Sequence, residues 1–113
     1  MSPIDPIALR PGATTAACKA VARDALHEAC AIAKSKGARL AALWGSDERD
    51  RGADIGFALH TLLATPESLE WLETPIPSND PTVPDLADLF PSANRMQRAV
   101  YDLMGIRFEG HPN

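Results

Sequence analysis

The chain has 113 residues, of which 45% are hydrophobic, and its 11 basic and 15 acidic side chains give a formal net charge of −4. This length predicts one domain, and the apolar content suffices for a core without metal or disulfide cross-links. Such apolar content at low net charge argues against disorder. Because the chain has no basic run with which to neutralise phosphates, we expect no nucleic-acid partner. It also has no run of about 20 apolar residues, so we expect membrane contact only through a complex.

The first third of the chain is predicted to be an arm followed by a helix. Residues 1–13 contain three prolines and a glycine, which favour a flexible, extended arm. Residues 14–36 place apolar side chains on one face at helical spacing, and Gly37 provides the stop. Cys18 and Cys30 fall in this helix roughly 18 Å apart. Because a disulfide cannot span that distance, we interpret them as two buried free thiols.

The middle of the chain is predicted to form three strands. Residues 38–44 are short and apolar, residues 53–63 alternate at the two-residue period, and residues 69–77 end in two prolines. The charged segment 45–52 and the segment 64–68 are interpreted as the turns that connect them. Sequential strands joined by short turns predict an antiparallel meander with the helix on one face.

The last third is predicted to be a loop, a helix and a tail. Residues 78–91 contain three prolines within a run of turn-forming polar residues, and a helix is expected from Pro91 to the stop at Gly105. Residues 106–113 are expected to be extended. The predicted fold class is therefore α+β: an N-terminal helix packed on a small antiparallel meander sheet, followed by a C-terminal helix and an extended tail. Residues 14–113 are expected to form this single domain.

The sequence has none of the short motifs that mark common reactive sites. It lacks a Cys-x-x-Cys pair, a His-Glu-x-x-His helix, a Gly-x-Ser-x-Gly elbow and a glycine-rich phosphate loop. We therefore expect no metal, no cofactor and no catalytic residue in this chain. Among the histidines, His27 is expected to be solvated and His60 to be a structural residue of a strand. His111 is restricted by its neighbouring glycine and proline, but a single imidazole makes no active site.

Two charged clusters are candidates for contact with a partner. Asp47, Glu48 and Arg49 lie in the predicted turn and form either a solvated hairpin tip or a docking site. Arg98 and Asp102 are four residues apart on the predicted C-terminal helix. They form either a surface ion pair or an anchor that presents charge to a neighbouring subunit.

The C-terminal segment combines an aspartate, a helix-stopping glycine and a Phe-x-Gly-His-Pro ending, in the residues Tyr101, Asp102, Leu103, Met104, Gly105, Ile106, Phe108, Gly110, His111 and Pro112. Together with the Leu-Phe-Pro-Ser-Ala sequence at 89–93, it resembles the signature of the thirty-kilodalton (C-type) subunit of NADH–quinone oxidoreductase. The segment 44–49 is more similar to a branch of this family, the N-terminal domain of the large subunit of formate-hydrogenlyase-type nickel–iron hydrogenases. The similarity in element order covers residues 14–113.

The resemblance implies a non-catalytic assembly or docking domain of a membrane-associated hydrogenase or of a complex like NADH–quinone oxidoreductase. The implied partners are a D-type domain of the nickel–iron hydrogenase large-subunit type and a neighbouring iron–sulfur subunit. We expect the chain to be cytoplasmic and, through the complex, peripheral to the inner face of the cell membrane. The residues expected to dock are Asp47, Glu48, Arg49, Arg98, Asp102, Gly105, Phe108, Gly110, His111 and Pro112.

Two other functions remain open at the level of sequence. A helix-backed antiparallel sheet of this size is also typical of small-molecule-binding or regulatory domains that act as homodimers. A small independent enzyme could use His60 or His111 with nearby carboxylates.

Overall fold

The computed structural model describes residues 17–51 and 56–109. The expected arm, residues 1–13, lies outside the described residues, and so do Gly110, His111 and Pro112 of the expected docking set. The described elements, in chain order, are β1 (Ala17–Ala20), α1 (Arg23–Ser35), β2 (Arg39–Asp47), a 3₁₀ turn (Arg49–Arg51), β3 (Phe57–Ala64), β4 (Leu69–Ile76), β5 (Thr82–Pro84), α2 (Ala93–Met104) and β6 (Arg107–Glu109).

The larger sheet has the strand order β1-β4-β3-β2. Strands β2, β3 and β4 form the predicted antiparallel meander, and β1 is added parallel to β4 at one edge. The smaller sheet pairs β5 with β6 in parallel. The α+β fold class is confirmed, with a sheet that is mixed because of β1.

The start of the first helix is the main correction to the sequence prediction. Residues 17–20 pair with Glu70–Glu73 of β4, and α1 begins only at Arg23. This short segment satisfies its backbone groups on the edge of β4, and such tertiary pairing overrides a weak helical preference. Cys18 is consequently exposed on a strand, whereas Cys30 in α1 is buried as expected.

The charged turn was predicted to begin at Gly45, but β2 continues to Asp47. Gly45, Ser46 and Asp47 are the last residues of β2 and pair with Leu59, Ala58 and Phe57 of β3. A Cβ atom at Gly45 would lie 2.7 Å from the sulfur of Met104 in α2. The glycine is therefore explained by the close approach of α2 to the strand, not by a turn.

The segment predicted as a loop over 78–91 contains β5, and the predicted tail contributes β6. A parallel pair between segments so far apart in sequence leaves little local signal. The stop at Gly105 is confirmed: its φ is +75° and its backbone N–H donates to the carbonyl of Tyr101. The left-handed turn returns Ile106 to the core, where it is fully buried, and leaves Phe108 half-buried against it.

Both helices pack on the same face of the larger sheet. α1 contacts β4 and α2 contacts β2, and the smaller sheet contacts both helices. The core between these layers is formed mainly by aliphatic side chains, including Leu26, Leu59, Leu63, Leu72, Ile76, Val100 and Ile106. The opposite face of the larger sheet is called the open sheet face below.

None of the helices in the described part of the chain is long and apolar enough to cross a membrane.

Candidate docking surfaces

A shallow depression of about 550 Å³ lies between α2 and the smaller sheet. We call it the α2 surface. It brings together three of the residues that the sequence indicated for docking, Arg98, Asp102 and Phe108. The residues that line it are Asp85, Asn94, Gln97, Arg98, Tyr101, Asp102, Arg107, Phe108 and Glu109.

The floor of the α2 surface is fixed by Gln97, whose side chain is only 6% exposed. Its Oε1 accepts a hydrogen bond from the backbone N–H of Leu86 at 2.7 Å, and its Nε2 donates to Asp85 Oδ1 at 3.1 Å. The same Asp85 oxygen accepts from the backbone N–H of Ala87 at 2.7 Å. An amide suits this position because it donates and accepts at once. The bonds tie α2 to the segment that follows β5.

The rim of the α2 surface is exposed and charged. Arg98, Asp102 and Tyr101 are exposed, and Leu103 on the same helix is 84% exposed. Of the two alternatives for Arg98 and Asp102, the surface ion pair is absent, since the ion pairs of the described residues do not include either side chain. Both charges therefore remain available to a partner, beside an aromatic ring of the type enriched in binding interfaces.

In the charged cluster at the end of β2, Asp47 and Arg49 are hydrogen-bonded to each other. Arg49 donates to both carboxylate oxygens of Asp47, at 2.9 and 2.7 Å, and its backbone N–H donates to the same carboxylate. The Arg49 guanidinium also lies 5.2 Å from the centroid of the Phe57 ring. Hydrogen bonds from Arg49 are the main cause that lowers the pKa of Asp47. These two residues do not line the α2 surface, so the expected docking residues fall in separate places.

On the open sheet face, a histidine is held by a directed chain of hydrogen bonds. Trp71 Nε1–H donates to His60 Nδ1 at 3.1 Å, and His60 Nε2 lies 2.8 Å from Ser46 Oγ. The Ser46 hydroxyl donates to Glu48 Oε2 at 2.6 Å. His60 is 7% exposed and stacks on Trp44 with a ring separation of 5.0 Å. His60 is thus a satisfied structural residue, as predicted.

The same hydrogen bonds argue against a serine nucleophile at Ser46. An indole N–H can only donate, so His60 Nδ1 must accept, and the proton of the neutral ring is on Nε2. Burial lowers the pKa of His60, which favours this neutral form. A ring protonated at Nε2 donates to Ser46 and cannot remove its proton, as general-base catalysis would require. These hydrogen bonds therefore do not support Ser46 and His60 as a nucleophile and its general base.

His27 is partly exposed to solvent, as predicted, and it also has a partner that the sequence did not indicate. Its Nε2 lies 2.9 Å from Asp88 Oδ2, so it links α1 to the segment before α2. Within residues 17–51 and 56–109, no group of three or more His, Cys, Asp or Glu side chains is placed to hold a metal ion.

Sequence reasoning missed the roles of Gln97 and Ser46. Gln97 accepts a hydrogen bond from the segment after β5. Ser46 lies opposite Ala58 in β3 and therefore next to His60, to which it is hydrogen-bonded. Alternation along β3 did indicate which residues share a face with His60. It could not indicate which residues of β2 and β4 lie beside them, because that depends on strand register.

Comparison with known proteins gives a consistent result. The family model described as respiratory-chain NADH dehydrogenase, 30 Kd subunit, matches residues 20–113. The chain is 55% identical over 38 residues to NADH-quinone oxidoreductase subunit 5 of Thermus thermophilus, covering 34% of this chain and 18% of the relative. It is 37% identical over 78 residues to the C/D subunit of NADH-quinone oxidoreductase from Escherichia coli O6:K15:H31, covering 63% of this chain and 13% of the relative. The chain thus spans a minor part of these curated relatives.

Two solved structures share the fold. The trypsin-resistant fragment (1–134) of Nqo5 superposes with a TM-score of 0.75 at 32% identity, covering 85% of this chain and 80% of that one. A chain of the membrane-bound sulfane sulfur reductase, described as an archaeal respiratory membrane complex, gives a TM-score of 0.67 at 21% identity. That match covers 82% of this chain and 56% of the other, and it shows similarity of fold.

Proposed function

The chain belongs to the family of the respiratory-chain NADH dehydrogenase 30 Kd subunit, and we propose that residues 14–113 act as one non-catalytic docking domain of a membrane-associated electron-transfer complex. Its role is to bind neighbouring subunits, and no step of electron transfer is assigned to its own side chains. The proposed location is cytoplasmic and peripheral, on the inner face of the membrane that carries the complex.

The observation that carries the proposal is the α2 surface. It combines a rigid floor, held by Gln97, with an exposed aromatic ring and two charges that are not paired within the described residues. Ordered polar groups cost less entropy when a partner binds, and open charges select partners with complementary ones. Asp102 and Phe108 also belong to the motif that is typical of the family. The geometry of the α2 surface and the family motif therefore both support docking at the same place.

The proposed partners are a D-type subunit and a neighbouring iron–sulfur subunit. Support comes from relatives described as C/D subunits, in which the region that matches this chain is a small part of a longer protein. We therefore propose that this chain corresponds to the C part of such a protein and that a D-type subunit binds its α2 surface. The similarity of segment 44–49 to hydrogenase large subunits extends the proposal to a D-type domain of the nickel–iron hydrogenase type.

Co-purification tests this proposal. The tagged chain is expressed with the D-type subunit encoded in the same genome, and the recovered ratio of the two proteins is measured. The double variant Arg98→Glu, Asp102→Lys should lower that ratio at least tenfold because it reverses both rim charges. Lys34→Glu, an exposed change on α1, is the matched control and should leave it unchanged.

Either of two results would overturn the docking role. One is equal recovery of the D-type subunit with the double variant and with the unmodified chain. The other is a stable homodimer that does not bind the D-type subunit at all, which would favour a regulatory domain.

A further inference from the structure

The open sheet face presents an aromatic and acidic cluster that the docking role of the α2 surface does not use. Trp44, His60 and Glu73 are direct neighbours across β2, β3 and β4. Trp71 lies beside them in β4 and donates its hydrogen bond to His60. Adjacent strands are about 4.8 Å apart, so the cluster spans roughly 10 Å from the first indole to the carboxylate.

The charge of this cluster is negative and is not balanced by the described residues. Glu73 takes part in no ion pair among them, and its carboxylate accepts a long hydrogen bond from the thiol of Cys18 at 3.7 Å. The nearest cation along β1, Lys19, is paired with Glu70, which points to the other face of β4. Arg39, opposite Ala64, lies at the far end of the open sheet face.

His60 does not supply the missing positive charge. Its Nδ1 accepts from the indole of Trp71 and its Nε2 proton is directed at Ser46, so both ring nitrogens are already used. A second ring proton would point at the indole N–H and break that bond. The imidazole therefore serves as a neutral spacer that holds two indoles at 5.0 and 5.8 Å from its own centre.

We propose that the open sheet face binds an arginine side chain of a partner protein, stacked on the Trp71 indole and paired with the Glu73 carboxylate two residues further along the same face of β4. Trp71 is partly exposed, and a guanidinium group is the cation that both stacks on aromatic rings and forms a forked pair with a carboxylate. Tryptophan and arginine also dominate the binding energy of protein interfaces. The negative charge disfavours a nucleic-acid backbone. This binding site is independent of the α2 surface.

The tryptophans allow a direct test, because the chain contains only two and both lie in this cluster. The indole Nε1–H signals of the full chain are followed by NMR while the peptide acetyl-Gly-Arg-Gly-amide is added. We expect weak but saturable shifts of both signals. The citrulline peptide, which has the same shape without the charge, should bind at least fivefold more weakly.

Variants separate this site from the rest of the molecule. Glu73→Gln should weaken arginine-peptide binding at least fivefold, whereas Glu70→Gln, on the other face of the same strand, should change it less than twofold. Arg98→Glu on the α2 surface should also leave it unchanged, so the two proposals fail separately. Equal binding of both peptides, or an unaffected Glu73→Gln variant, would overturn the inference. So would indole shifts produced merely by concentrating the chain, since they would make a second copy the occupant.

Discussion

The two surfaces of this domain differ in how their order is produced. The α2 surface depends on one buried amide, Gln97, that joins a helix to a non-helical segment. The open sheet face depends on strand register, which places Trp44 and Glu73 on either side of His60. A single substitution should therefore disorder the first surface, whereas changes on the second should alter its chemistry and leave the fold intact.

The largest expected effect comes from removing the amide of Gln97. In the variant Gln97→Met the backbone N–H of Leu86 loses its acceptor and Asp85 loses a donor, both next to the core. Each buried group left without a partner costs about 1 to 3 kcal/mol. We expect the unfolding free energy, measured by urea denaturation, to fall by about 2 kcal/mol or more. Asn94→Ala, an exposed change on the same surface, is the control and should cost less than about 0.5 kcal/mol.

The helix stop at Gly105 should be nearly as sensitive. Its φ of +75° is strained for any β-branched residue, so Gly105→Val should lower the unfolding free energy by about 1 to 3 kcal/mol. The open space around a Cβ at this position means that the cost arises from the backbone alone. Gly105→Asn, which tolerates this conformation better, should cost clearly less. Equal losses for valine and asparagine would show that the backbone conformation is not the cause.

The structural features behind the Gln97 and Gly105 predictions differ in how far the sequence alone could predict them. The stop at Gly105 follows from a glycine after an apolar helical stripe, which is local information. The strand β1 does not, because Ala17–Ala20 becomes a strand only through its pairing with β4. The floor made by Gln97 likewise depends on contacts between residues 11 or 12 positions apart. Local spacing thus predicted the meander and the glycine stops after both helices, while long-range pairing decided the candidate sites.

The open sheet face should reveal itself in the pH dependence of stability. Burial lowers the pKa of His60 in the folded chain relative to the unfolded one. The neutral His60 ring therefore contributes its full share of the unfolding free energy above the unfolded histidine pKa of about 6.5. This share is lost as the pH falls toward the pKa of His60 in the folded chain. Urea denaturation between pH 8 and 5 should show this loss, and His60→Gln should reduce the slope. Identical slopes for the two chains would contradict a buried neutral histidine.

The smallest expected effect comes from substituting a buried threonine in the core between the two surfaces. The hydroxyls of Thr61 and Thr74 are fully buried and have no hydrogen-bond partner within the described residues. Thr61→Val should therefore raise the unfolding free energy by about 0.5 to 1 kcal/mol, since it removes an unsatisfied polar group at nearly constant volume. In contrast, Thr82→Val should lower it, because the Thr82 hydroxyl bonds to Arg23 and Asp80. A destabilising Thr61→Val would show that this hydroxyl has a partner in solution.

Hydrogen exchange tests the docking role of the α2 surface most directly. The backbone amides of the full chain are compared, free and in complex with the D-type subunit. We predict slower exchange in the complex for residues 85–89 and for β6, which border the α2 surface, with unchanged exchange at the C-terminal end of α1. Equal exchange at the α2 surface in the free and bound chain would contradict the account.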